Sequence, residues 1–65
     1  MTVRAVIKLI EADGWRFVRQ TGSHRQFRHP TKPGTVTVAG KPSTEVPAGT
    51  LAAIFRQARL KGPQQ

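Results

Sequence analysis

Hydrophobic residues recur with a helical period at the start of the chain, alternate through its middle, and return to a helical period near its end. Val3, Val6, Ile7 and Ile10 fall at i, i+3, i+4 and i+7 on one helix face, while Arg4, Lys8 and Glu11 fall on the other. Thr2 is a good N-cap and Gly14 supplies a left-handed terminator, so the pattern predicts a helix ending near Asp13-Gly14. From Trp15 to Thr21, aromatic and β-branched residues alternate with Arg and Gln, the signature of a strand. Gly22-Ser23 turns the chain, and His24 to His29 is the returning antiparallel strand, closed by Pro30, which has no N–H for a ladder.

Thr31 to Gly34 reads as a turn, and Thr35 to Val38 as a third strand with Val36 and Val38 on one face. Ala39 to Val46 has no period and reads as an ordered loop with one mobile patch. A second helix begins near Pro47 or Ala48, with Thr50 in its first turn or capping it, and carries Leu51, Ile54, Phe55 and Ala58 at helical spacing. Arg56 and Arg59 fall toward its C-terminus, where they suit the helix dipole, and Gly62 to Gln65 reads as a frayed tail. The expected fold is α+β, in the order helix, strand, strand, strand, helix. Two layers result, with both helices on one face of a three-stranded antiparallel sheet and the other face open.

Length and charge narrow the possibilities. Sixty-five residues make a single domain, residues 1–65, with a small core. Without cysteine there is neither a disulfide framework nor a thiolate zinc site, which points to a reducing, cytoplasmic setting. The first apolar run is broken by Lys8 and Glu11 and is far too short for a membrane span. Eleven Lys and Arg against three acids give a net charge of +8, a field suited to phosphate backbones or an acidic protein. Seven of the eleven are arginines, whose planar fork matches phosphate oxygens.

Strand alternation places His24, Gln26 and Arg28 on one face and Arg25, Phe27 and His29 on the other. Phe27 is expected to point at the helices, which leaves His24 on the open side. His24 and His29 then face opposite ways, so they form neither an acid–base pair nor joint metal ligands. Glu11, Asp13 and Glu45 are too scattered for a magnesium cage, and Ser23 has no orienting acid to make it a nucleophile. No phosphate-binding glycine motif or nucleophile elbow occurs, so neither a metal nor a cofactor is expected. One titrating group and several cations suffice for RNA cleavage by its own 2′-hydroxyl, because the substrate carries the nucleophile.

Gly14-Trp15, the run Arg19-Gln20-Thr21-Gly22-Ser23-His24-Arg25-Gln26-Phe27-Arg28-His29-Pro30, Val36-Thr37-Val38, Gly49-Thr50-Leu51, Ile54 and Gln57-Ala58 together resemble the HicA family of bacterial toxins. The similarity covers nearly the whole chain. It implies an mRNA interferase of a type II toxin–antitoxin system, a fold like that of double-stranded RNA-binding domains, and silencing by a HicB-type antitoxin. The family's catalytic histidine lies in its Gly-Ser-His motif, which corresponds to His24. Many members carry a second histidine in the loop after the third strand, where this chain has Ala39-Gly40-Lys41. Relatives often have glycine at the position of Arg59, so here the last helix is expected to run on to Gly62.

The leading expectation is therefore a metal-independent ribonuclease with His24 as general base or acid. Arg19, Arg25, Arg28 and Lys41 would hold phosphate, and Gln26 would help place the strand or a base. The antitoxin would cover His24 and set acidic residues against the arginines. A non-catalytic RNA-binding domain acting by occupancy is the alternative, since shape, phosphate and 2′-hydroxyl contacts suffice for binding. A basic ribosome-associated protein is compatible with the composition alone.

Overall fold

In a computed structural model of the chain, which describes residues 1–60, the first amphipathic run forms helix α1 (Val3–Ala12). Three antiparallel strands follow, β1 (Arg16–Thr21), β2 (His24–Arg28) and β3 (Thr35–Ala39), in the order β1-β2-β3, and helix α2 (Ala48–Gln57) closes the fold. The predicted element order is present, and its bounds shift by a residue at several ends. Trp15 lies just before β1, His29 lies just after β2, and β3 reaches Ala39.

Both helices cover one face of the sheet. Val3, Val6 and Ile10 of α1 and Ile54 of α2 share a buried cluster with Trp15, Phe27, Val36, Val38 and Ala58. Phe27 stands opposite Val36 across the β2–β3 ladder, and Arg25 stands opposite Val38, so alternation turns this face inward. Burying side chains of this size stabilises the fold by about 1.5–3 kcal/mol each. Coverage thins toward β1, where Phe17 stays 53% exposed although its ring meets Phe27 edge-on at 6.0 Å.

The start of α1 explains why the aperiodic loop is ordered. The first N–H groups of a helix lack partners inside it. Here Val3 N–H donates to the Thr44 carbonyl at 2.9 Å, Arg4 N–H to Pro42 at 3.0 Å, and Ala5 N–H to the Thr2 hydroxyl at 3.2 Å. A Thr44 to Lys41 backbone bond of 3.0 Å closes the loop on itself. The loop holding Lys41 is thus the N-terminal cap of α1, and it connects helix geometry to the rim of the sheet.

The two helix ends share one stop. At α1, Gly14 N–H donates to Glu11 and Trp15 N–H to Ile10; at α2, Arg59 N–H donates to Arg56 and Leu60 N–H to Phe55. Both are Schellman motifs, which need a left-handed residue between cap and follower. Gly14 fills that place at φ 107, and Arg59 fills it at φ 57. The expected extension of α2 to Gly62 is therefore wrong: Arg59 leaves the helix in the left-handed region, and Leu60 folds back against the core. The expectation of a frayed Gly62–Gln65 tail lies outside the described residues.

These ends make a stability prediction. A Cβ on Gly14 would come within 2.7 Å of His29 Nε2 in a backbone region that L-residues avoid. Gly14→Ala is expected to destabilise the protein by about 2 kcal/mol or more. Arg59→Gly is expected to stabilise it by about 0.5–1 kcal/mol through relief of the left-handed conformation. Urea unfolding of both variants checks the opposite signs.

Candidate functional site

The hairpin between β1 and β2 sets the position of His24. Gly22 at φ 58 is followed by Ser23 and then directly by the strand, a two-residue loop of the glycine-first kind that hairpins favour. The Gln20 side-chain amide donates to the Gly22 carbonyl at 2.8 Å, and Gly40 N–H donates to the Ser23 carbonyl at 3.1 Å. His24 is thereby fixed between Thr21 of β1 and Ala39 of β3, exposed on the open face.

A bulge decides which β1 residues join it. The ladder pairs Arg16 with Arg28 and Phe17 with Phe27, skips Val18, and resumes with Arg19 against Gln26 and Thr21 against His24. Continued unbroken from the Thr21–His24 pair, the ladder would set Phe17 against Arg28 and turn Arg16 toward the helix side. The extra residue bends the strand and resets alternation. Arg16, Arg19 and Thr21 consequently share the open face with Arg28, Gln26 and His24, and Thr35, Thr37 and Ala39 complete it from β3.

The expected site residues separate into groups. Arg19 and Gln26 meet directly, Arg19 Nε donating to Gln26 Oε1 at 3.2 Å, which anchors the guanidinium and leaves its terminal nitrogens outward. Arg28 lies four positions along β2 from His24, on the same face. Lys41 is exposed in the loop just beyond Ala39, the β3 neighbour of His24. Arg25 is not on the open face: it is half-buried on the helix side, and its Nη1 donates to the Gly40 carbonyl at 2.8 Å. That bond holds the β3–loop corner beside His24, so Arg25 buttresses the site from behind. Sequence reading missed Arg16, whose place opposite Arg28 follows from a register that one strand does not reveal.

The two histidines differ in what their nitrogens do. His29 Nε2 donates to the Asp13 carbonyl at 2.7 Å, while Nδ1 accepts from the N–H groups of Thr31 at 3.0 Å and Lys32 at 3.1 Å. A carbonyl only accepts and an amide N–H only donates, so these partners define the tautomer. The His29 ring also meets Trp15 edge-on at 5.3 Å. Both nitrogens of His29 are committed to structure. The His24 ring has no hydrogen-bond partner among the described residues and is open to solvent.

The carboxylates are occupied or isolated. Asp13 pairs with Lys32, Glu45 accepts from the Met1 amine at 2.9 Å, and Glu11 is exposed on α1. No group of three His, Asp or Glu side chains suited to a metal ion occurs among the described residues. No helix among them is long and apolar enough to cross a membrane.

Fold and site together define a small basic α+β domain whose open sheet face carries arginines beside one unengaged imidazole. Over residues 3–60 the chain matches the sequence model of the HicA toxin of bacterial toxin-antitoxin. The chain belongs to the HicA toxin family, the toxin half of a toxin–antitoxin pair, and its family implies an antitoxin partner. No individually curated protein matches it.

Because His29 is a structural group and His24 is solvated, their removal separates cleanly. His29→Ala is expected to cost about 2–4 kcal/mol, through unpaired backbone groups and lost packing on Trp15. His24→Ala is expected to change stability by no more than about 0.5 kcal/mol. Chemical denaturation followed by tryptophan fluorescence compares them, with Trp15 as the single reporter.

Proposed function

We propose that this toxin is an endoribonuclease acting on mRNA, with His24 as its proton-transfer group. The observation that carries the reading is the contrast between the histidines: His29 has both ring nitrogens engaged, whereas His24 has no partner among the described residues and stands on the face shared by Arg16, Arg19 and Arg28. In this scheme His24 takes the proton from a 2′-hydroxyl, and the 2′ oxygen attacks the adjacent phosphorus. The bond to the 5′ oxygen breaks, and that oxygen takes a proton from water, leaving a 2′,3′-cyclic phosphate and a 5′-hydroxyl, while the hydroxide so formed removes the proton that His24 holds. Histidine suits the role because its ring nitrogen can both take and return a proton.

Charge builds on the phosphoryl oxygens during the attack, and nearby cations stabilise it. Arg19, steadied by Gln26, is the arginine of the open face nearest His24 in the ladder, one row along that face. Lys41 approaches from the capped loop at the other side, and Arg28 supplies charge further along the strand. Arg25 contributes through its bond to Gly40 rather than through phosphate. The substrate supplies its own nucleophile, so the scheme needs neither a metal nor an organic cofactor.

The partner in this reading is a HicB-type antitoxin that lies over His24 and presents acidic residues to the arginine face. Blocking the imidazole and cancelling the local field act on the same surface. The cytoplasm, where mRNA is translated, is the matching compartment.

Cleavage of a labelled single-stranded RNA in EDTA tests the scheme. Wild type is expected to cut; His24→Ala is expected to bind with similar affinity and lose at least about 100-fold in rate, in line with the loss of a general base. Binding by both proteins with cleavage by neither would favour action by occupancy. Arg19→Gln is expected to lower the cleavage rate by about tenfold, measured in the same assay.

A further inference from the structure

The far end of the open face, away from His24, carries a pair of arginines that the cleavage scheme uses only as distant charge, through Arg28. Arg16 and Arg28 stand directly opposite each other in the β1–β2 ladder. Both are exposed, and neither side chain has a hydrogen-bond or ion-pair partner among the described residues. Like charges placed directly opposite in a sheet repel and weaken it. The nearby carboxylate is already engaged, since Asp13 is paired with Lys32. The described residues therefore hold two cations together with no anion of their own between them.

Their position is also defined. Arg28 is four residues from His24 on the same face of β2, about 13 Å at the ordinary strand rise. That exceeds the length of one nucleotide of extended backbone, so a strand with its reacting phosphate at His24 places a different phosphate at the arginine pair. Arg19 and Gln26 lie in the row between them, and Thr35 flanks the pair from β3. Two guanidinium forks side by side can share the several oxygens of one tetrahedral phosphate, whereas a carboxylate fills only one fork.

We propose that Arg16 and Arg28 form a second phosphate subsite, which grips the RNA backbone a few nucleotides from the scissile bond and draws the strand along the open sheet face. This rests on the reading of the chain as an RNA-cleaving toxin. The site recognises the phosphodiester backbone and not the bases, so its contribution is independent of sequence and sensitive to salt. Apart from the His24 ring at its other end, the face offers no aromatic platform for base stacking: its remaining non-arginine positions are Thr21, Gln26, Thr35, Thr37 and Ala39. The bulge at Val18 is integral to the device, because it carries Arg16 onto the same face as Arg19 and sets it opposite Arg28.

The test compares Arg16→Gln, Arg28→Gln and Lys8→Gln with wild type, binding a 2′-O-methyl RNA of about ten nucleotides that the 2′-hydroxyl chemistry cannot cut. Lys8 is exposed on α1, in the other layer, so its variant removes the same charge elsewhere. Arg16→Gln and Arg28→Gln are each expected to weaken binding by about tenfold. Each should also flatten the slope of log affinity against log salt by about 0.7. Lys8→Gln is expected to stay within about twofold of wild type. Thermal unfolding of free Arg16→Gln should occur at or slightly above the wild-type temperature, because relieving repulsion does not damage the fold.

Equal losses in all three variants would reduce the pair to part of a general field, and no loss in either arginine variant would remove it from the RNA path; both overturn the proposal. Loss confined to the antitoxin complex, with RNA binding intact, would give the pair to an acidic polypeptide and overturn it as well. If wild type neither binds nor cuts RNA, the ribonuclease reading fails together with the subsite. If wild type cuts, His24→Ala does not, and Arg16→Gln binds like wild type, only the subsite fails.

Discussion

Trp15 is the fastening on which this small fold depends. Its ring is 1% exposed, and its indole N–H donates to the Ala58 carbonyl at 3.2 Å, tying the exit of α1 to the exit of α2 across 43 residues. Around that bond Lys32 reaches the Asp13 carboxylate and the carbonyls of Ala58 and Arg59, placing a cation where both helices present their negative ends. His29 closes the same knot from the sheet side through Asp13. A chain this short buries a limited apolar area, so a partly buried polar clasp around the buried Trp15 does much to fix one arrangement. All the groups in the clasp lie at the end of the sheet away from the hairpin. The hairpin end is thereby released from structural duty, and His24 can remain solvated without loss to the core.

The open face follows from two further constraints. Helices over β2 and β3 turn Phe27, Val36 and Val38 inward, which by alternation turns His24, Gln26 and Arg28 outward. The skipped residue in β1 then corrects the phase of that strand, so its arginines add to the same surface. Val18 accepts 50% exposure as the residue left out of register. The fold thus gathers Arg16, Arg19 and Arg28 on the face that no helix covers. The helical layer remains responsible for stability.

Much of this was legible in the sequence, and the limits have physical causes. The α1 face was readable because Val3, Val6 and Ile10 repeat over a full run, and the position of His24 was readable because Gly22-Ser23 admits few hairpin geometries. Phe27 and the parity of its neighbours were correct because β2 is regular. The bulge was not readable, since register is settled by pairing between strands and not by either strand alone. The end of α2 was misread because Arg59 occupies a left-handed position with none of the usual glycine signal; the pull of Leu60 toward the core decides it. Arg25 and His29 looked like members of a charged strand, but their partners, Gly40 and Asp13, lie 15 and 16 residues away. The roles of the cations toward RNA belong to a ligand, and no internal contact of the chain spells them out.

The skipped Val18 also bears on how copies of the toxin behave toward one another. β1 is an outer strand, with Phe17 and Val18 exposed beside its unpaired backbone edge, a combination that in a flat strand invites a neighbouring molecule to extend the sheet. A bulge interrupts the even run of donors and acceptors that such stacking needs, and two cationic side chains flank it. The irregularity that gathers the arginines therefore also makes the β1 edge a poor template for a further strand.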